Sequence, residues 1–90
     1  MEKLENARKT INEVDKKMAE LFCRRMEAVK EVAAAKRELG LPVLSEQREA
    51  EVLERNKKLI ENEEFASYYV NFLKGTMDLS KRYQHRLLYG

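Results

Sequence analysis

No glycine or proline interrupts the chain from Met1 to Leu39. Within that stretch apolar residues recur at heptad spacing: Leu4, Ala7, Ile11, Val14, Met18 and Leu21, then Ala28, Val32 and Ala35. The intervening residues, many of them Glu, Lys, Ala, Met and Arg, suit a helix interior. The pattern predicts one helix over residues 4–38, a rod of about 50 Å. A compact chain of this length has a radius of gyration of about 12 Å and measures about 30 Å across. The rod therefore overhangs its own chain, and its stripe stays wet unless a second copy covers it. The expected fold is all-α, with three helices per chain, a very long first helix, and two chains intertwined as a two-fold homodimer.

Arg25 stands where the next apolar residue of the stripe belongs, between Leu21 and Ala28. A guanidinium on a buried stripe is costly unless an anion meets it. Lys36 follows eleven residues later, which places it about 20° around the helix and about 16 Å along it. Two cations thus look along one face, at a separation that suits a small dicarboxylate held between two long side chains. Arg8 lies about 25 Å from Arg25 on the same rod, too far to share an anion within one chain. In an antiparallel dimer Arg8 of one chain approaches Arg25 of the other. From position alone, a solvated surface residue accounts for Arg8 better.

The remainder of the chain supplies two more helices. Gly40 suits a left-handed helix cap, and Pro42 prevents continuation. Ser45 is placed as the N-cap of a second helix over about 46–61, with a thin apolar face of Ala50, Val52, Leu53, Leu59 and Ile60. Arg48 and Glu49 open that helix close to Lys36. A surface Arg–Glu pair is the plainer account of them, weakened by that proximity. Asn62 caps a third helix over about 65–88, whose stripe is Tyr69, Phe72, Leu73, Thr76, Met77, Ser80, Gln84 and Leu87. Ser80 and Gln84 are polar on an otherwise apolar face and need partners there. Alone, they read as a pair that hydrogen-bonds across a helix interface. Gly75 interrupts this helix and suits a close helix approach. All 90 residues form one domain.

Composition excludes several function classes. The net charge is +2, from 18 basic and 16 acidic residues intermixed throughout, which leaves no basic stripe for nucleic acid. The longest apolar run is Val32–Ala35, so no membrane span is expected, and no secretory signal pattern opens the chain. The single cysteine, Cys23, cannot form an internal disulfide and fits a reducing cytoplasm. No Cys/His cluster suggests a metal, and no cofactor motif is present. His85 has no Ser, Cys or Asp placed to form a triad with it, and Cys23 has no evident base. The tyrosines at 68, 69, 83 and 89 read as packing residues with a polar tip.

Taken together, Arg25, Lys36, Arg48, Glu49, Ser80 and Gln84, with Arg8 from a partner chain, describe a cationic pocket inside a helical bundle. It lacks an activated nucleophile and a metal. Such a pocket suits a small dianion whose reaction needs shape and charge stabilisation more than proton transfer. At this point the chain resembles the all-α chorismate mutases of the AroQ class. The carrying segments are Ala7–Asp15, Arg24–Met26, Ala35–Lys36, Pro42–Glu49 and Ser80–Gln84. Each is weak alone; their order and spacing over nearly the whole chain are specific. The resemblance implies a dimer with two equal sites that converts chorismate to prephenate without a cofactor. It implies that Arg25 and the partner's Arg8 grip the two carboxylates. Lys36 and Gln84 would bond the ether oxygen, Glu49 the ring hydroxyl, and Arg48 and Ser80 would complete the polar lining. Many relatives carry an acidic residue at the place of Ser45, near the hydroxyl; the resemblance then implies that Ser45 still hydrogen-bonds there, with hydroxyl recognition either weaker or resting more on Glu49.

Two other functions fit parts of the pattern. Isochorismate-pyruvate lyase uses the same scaffold and a similar cationic pocket; Glu49 with Ser80 and Gln84 leans towards the mutase. A helical dimerisation module explains the heptads but not the interruption by Arg25. The chain suits either a free enzyme or a domain fused to another activity of the same pathway, and a partner enzyme would be the seat of feedback control.

Overall fold

The computed structural model describes residues 1–90 as three α-helices without strands. They are α1 (Glu2–Leu39), α2 (Glu46–Lys57) and α3 (Glu63–Tyr89). The chain is elongated, 55 × 25 × 15 Å with a radius of gyration of 16.3 Å, because α1 runs its full length. The α3 helix packs against both others, whereas α1 and α2 make no packing contact with each other. A gap between α1 and α2, floored by α3, follows from this arrangement.

Local chemistry sets most helix ends. Gly40 closes α1 at φ 67°, the left-handed region that a side chain disfavours, and the Leu41 N–H donates to the Lys36 carbonyl. Lys36 and Arg37 sit in the last turn of α1, where cations meet the negative end of the helix dipole. Arg37 Nη2 also donates to the Leu87 carbonyl at 2.6 Å, which ties the ends of α1 and α3 together. Ser45 Oγ accepts from the Arg48 N–H at 3.3 Å, and Asn62 Oδ1 accepts from the Glu64 N–H at 2.9 Å. Replacing Ser45 by Ala removes the first of these caps. The expected cost is about 1 kcal/mol, read as a lower urea midpoint at unchanged slope, and Ser45→Asp is expected to restore it.

Two expectations need correction. The second helix stops at Lys57 and does not reach Glu61. There Leu59 and Ile60 donate to Asn56 and Lys57, tight i→i+3 bonds that turn the chain and bring Ile60 partly inside. Asn56 Nδ2 meanwhile bonds back to the Val52 carbonyl. Gly75 is exposed, and a Cβ built on it meets nothing within 4 Å, so it serves no close approach within the chain. Helix α1 leaves its heptad stripe uncovered in the single chain, as its overhang predicts. Its buried residues are Val29 and Ala33, which lie off the heptad stripe and face α3. Every residue from Met1 to Arg24 is exposed, and the stripe stays open to solvent at Ile11 (56%), Val14 (48%) and Leu21 (57%).

The chain's own interior is therefore small. Seven residues are buried: Val29, Ala33, Val43, Leu73, Met77, Ser80 and Gln84. Two of the seven are polar, and both belong to the C-terminal half of α3, beside the gap.

Candidate active site

The gap between α1 and α2 is a cavity of about 180 Å³. It receives Arg25 and Lys36 from α1, Ser45 from the connecting turn, Arg48 and Glu49 from α2, and Ser80 and Gln84 from α3. Seven of the eight site residues expected from the sequence thus line one cavity. Arg8 is exposed on α1 and does not line the cavity of its own chain.

Arg25 and Lys36 are each oriented by neutral partners. Arg25 Nη1 donates to Ser80 Oγ, and Ser80 Oγ in turn donates to the Thr76 carbonyl at 3.0 Å. The hydroxyl is thereby fixed as the guanidinium's acceptor. No carboxylate pairs with Arg25, since the ion pairs of the chain are Lys30–Glu27 and Lys81–Glu49. Lys36 Nζ donates to the Val43 carbonyl at 2.6 Å and to Gln84 Oε1 at 2.8 Å. An ammonium has three N–H groups, so one remains for a ligand. With its oxygen bound to Lys36, the Gln84 amide turns its NH₂ away from the ammonium as a further donor. Burial pushes the Lys36 ammonium below its ordinary pKa of 10.5, and the charge of Glu49 acts in the opposite direction.

Four basic side chains (Arg25, Lys36, Arg48 and Lys81) meet one acidic side chain (Glu49) around the cavity. The surplus of three positive charges needs an anion. Val29, Val32, Val43, Val52 and Met77 form the apolar wall, which fits the carbon frame of a small organic acid. Three features of this site escaped the sequence. The Val43 carbonyl is backbone, without any side-chain signal. Val29, Val32 and Val52 are ordinary helix residues, and Val43 lies in the connecting turn. Lys81 follows Ser80 directly and precedes Gln84 by three, so it shares their side of α3, and that spacing was the available clue.

A second groove of about 500 Å³ adjoins the cavity and shares Arg25, Arg48 and Val52 with it. Met18, Leu21 and Phe22 of α1 and Tyr69, Phe72 and Leu73 of α3 line it. Tyr69 and Phe72 stack with ring centroids 5.9 Å apart. No group of His, Cys, Asp and Glu could hold a metal ion, and no helix is long and apolar enough to cross a membrane. His85 is exposed and lies tilted against Tyr89, with ring planes 49° apart, and Cys23 is an exposed free thiol.

Comparison with known proteins agrees with this chemistry. The family model described as chorismate mutase type II matches residues 7–85. A curated chorismate mutase of Methanocaldococcus jannaschii is 39% identical over 59 residues, which cover 66% of this chain and 60% of that protein. The matched region thus spans about 60% of the curated relative's length. No solved structure matches the chain.

Proposed function

The chain belongs to the chorismate mutase type II family, and from that we propose that it rearranges chorismate to prephenate, in the synthesis of phenylalanine and tyrosine. The observation that carries this reading is the cluster of Arg25, Lys36 and Gln84 around one cavity with a positive surplus and no nucleophile.

The reaction is unimolecular: the ether C–O bond breaks as a C–C bond forms between the side chain and the ring. No proton is transferred, so the protein's work is to hold the folded conformer and to stabilise charge that grows on the ether oxygen. The free N–H of Lys36 and the amide NH₂ of Gln84 suit that oxygen. Arg25, held by Ser80, grips one carboxylate. The second carboxylate is taken by Arg8 from a second copy. The exposed stripe of α1 and the open groove beside the cavity support such a homodimer, with the N-terminal half of a partner's α1 seated along them. Glu49 holds the ring hydroxyl, and Arg48 and Ser45 complete the lining. The lone exposed Cys23 supports a reducing, cytoplasmic location.

The test is a time course of purified protein with chorismate, followed by ultraviolet loss of substrate and by NMR of the product. Prephenate without pyruvate release is expected. No turnover of chorismate, or pyruvate release from isochorismate at a higher kcat/KM, rejects the reading.

The lowered Lys36 pKa gives this function a pH dependence. The ammonium is the active form, so kcat/KM is expected to fall on the alkaline side in a limb centred below pH 10.5. Stability moves the other way. Between the folded and unfolded pKa values the unfolded chain binds more protons at Lys36, so this group's contribution rises with pH. A pH–rate profile that stays flat through pH 10.5 rejects the assignment of Lys36.

A further inference from the structure

Lys81 has no part in the rearrangement as derived above, yet it lines the cavity. Its Nζ lies 3.0 Å from Glu49 Oε2, and the two side chains are 30% and 28% exposed. Glu49 is the one acidic group lining the cavity, and every element contributes cations to the same lining: Arg25 and Lys36 on α1, its neighbour Arg48 on α2, and Lys81 on α3. Glu49 is close enough to act on Lys36 electrostatically, but its ion pair is with Lys81. Two of the three Lys36 N–H groups already have acceptors, Val43 O and Gln84 Oε1. A carboxylate that swung onto Lys36 would take the third.

We propose that Lys81 is a positioning residue: it holds the Glu49 carboxylate off Lys36, so that the last N–H of Lys36 stays free for the substrate. The assignment rests on the reading of Lys36 as the ligand of the ether oxygen. It makes Lys81 part of the site through Glu49 and without contact to substrate. A simple ion pair joining α2 to α3 would account for the same 3.0 Å contact, but it would affect folding alone.

The test combines Lys81→Met, Lys81→Arg, Glu49→Gln and the Lys81→Met/Glu49→Gln double variant. Two readouts apply, chorismate kinetics and NMR titration of the Lys36 Nζ in ¹⁵N-lysine protein. Lys81→Met is expected to lower kcat about tenfold with a smaller change in KM, and Lys81→Arg to recover most of it. In the Glu49→Gln background the same replacement is expected to have little effect, because the carboxylate it restrains is gone. The Lys36 pKa should rise in Lys81→Met as Glu49 moves onto the ammonium, and most of that rise should vanish in the double variant. Equal kcat losses in both backgrounds overturn the proposal, because they put Lys81 on the substrate itself. A lower melting temperature at unchanged kcat overturns it as well. If wild-type protein does not turn over chorismate, the mutase reading fails separately, and the titration decides: an unchanged Lys36 pKa in Lys81→Met overturns the role of Lys81.

Discussion

Replacing Arg25 by Ala is expected to lower kcat/KM for chorismate about a thousandfold, with the helical content of the chain retained. Arg25 is half-buried, has no carboxylate of its own and spends one N–H on Ser80. In the free protein its charge is therefore uncompensated and does not favour folding. Ser80 keeps its bond to the Thr76 carbonyl when the guanidinium is removed, so no buried hydroxyl is stranded. Stability should hold or rise in Arg25→Leu, which a module that only dimerises would also show. The loss of turnover is what distinguishes an anion site. Steady-state kinetics beside circular-dichroism melts check both halves, and kcat/KM within tenfold of wild type would sink the role given to Arg25.

The other large effect concerns residues far from the cavity. The double replacement Ile11→Asp and Val14→Asp is expected to abolish the proposed dimer, most of the helix signal and more than about 99% of the activity. In the single chain both side chains are exposed, at 56% and 48%, and surface changes usually alter stability by no more than about 0.5 kcal/mol. In the proposed dimer each would bury about 2 kcal/mol of apolar side chain, and carboxylates in their place would carry a desolvation cost besides. Lys16→Asp, on the opposite face of α1, is the control and should change little. Sedimentation and circular dichroism read the result. A folded, active dimer carrying both aspartates would reject the stripe as an interface.

The comparison of sequence with structure separates two kinds of signal on α1. The heptad stripe was legible because it is long and regular, but its regularity does not say which molecule covers it. Val29 and Ala33 carry the intrachain contact with α3, and neither stands out in a helix already rich in Ala and Val. Gly40, Ser45 and Asn62 were readable because each cap is a local event within a few residues. The early end of α2 was not, since Leu59 and Ile60 extend the apolar pattern past the helix into the turn. At the site, Arg25, Ser80 and Gln84 were visible as polar interruptions of apolar faces. Lys81 was hidden because a lysine on a helix is ordinarily solvated, and only its pairing with Glu49 across α2 and α3 gives it meaning.

With seven buried residues and 55 Å of length, one chain is a poor thermodynamic unit. If its largest apolar face is completed by another copy, folding and association are a single equilibrium, and protein concentration becomes a structural variable. Melting temperature should then climb as the sample is concentrated. Dilution alone should act as a denaturant, without heat or urea. An assay run at very low enzyme concentration would report fewer turnovers per chain than a concentrated one, even though no side chain had changed.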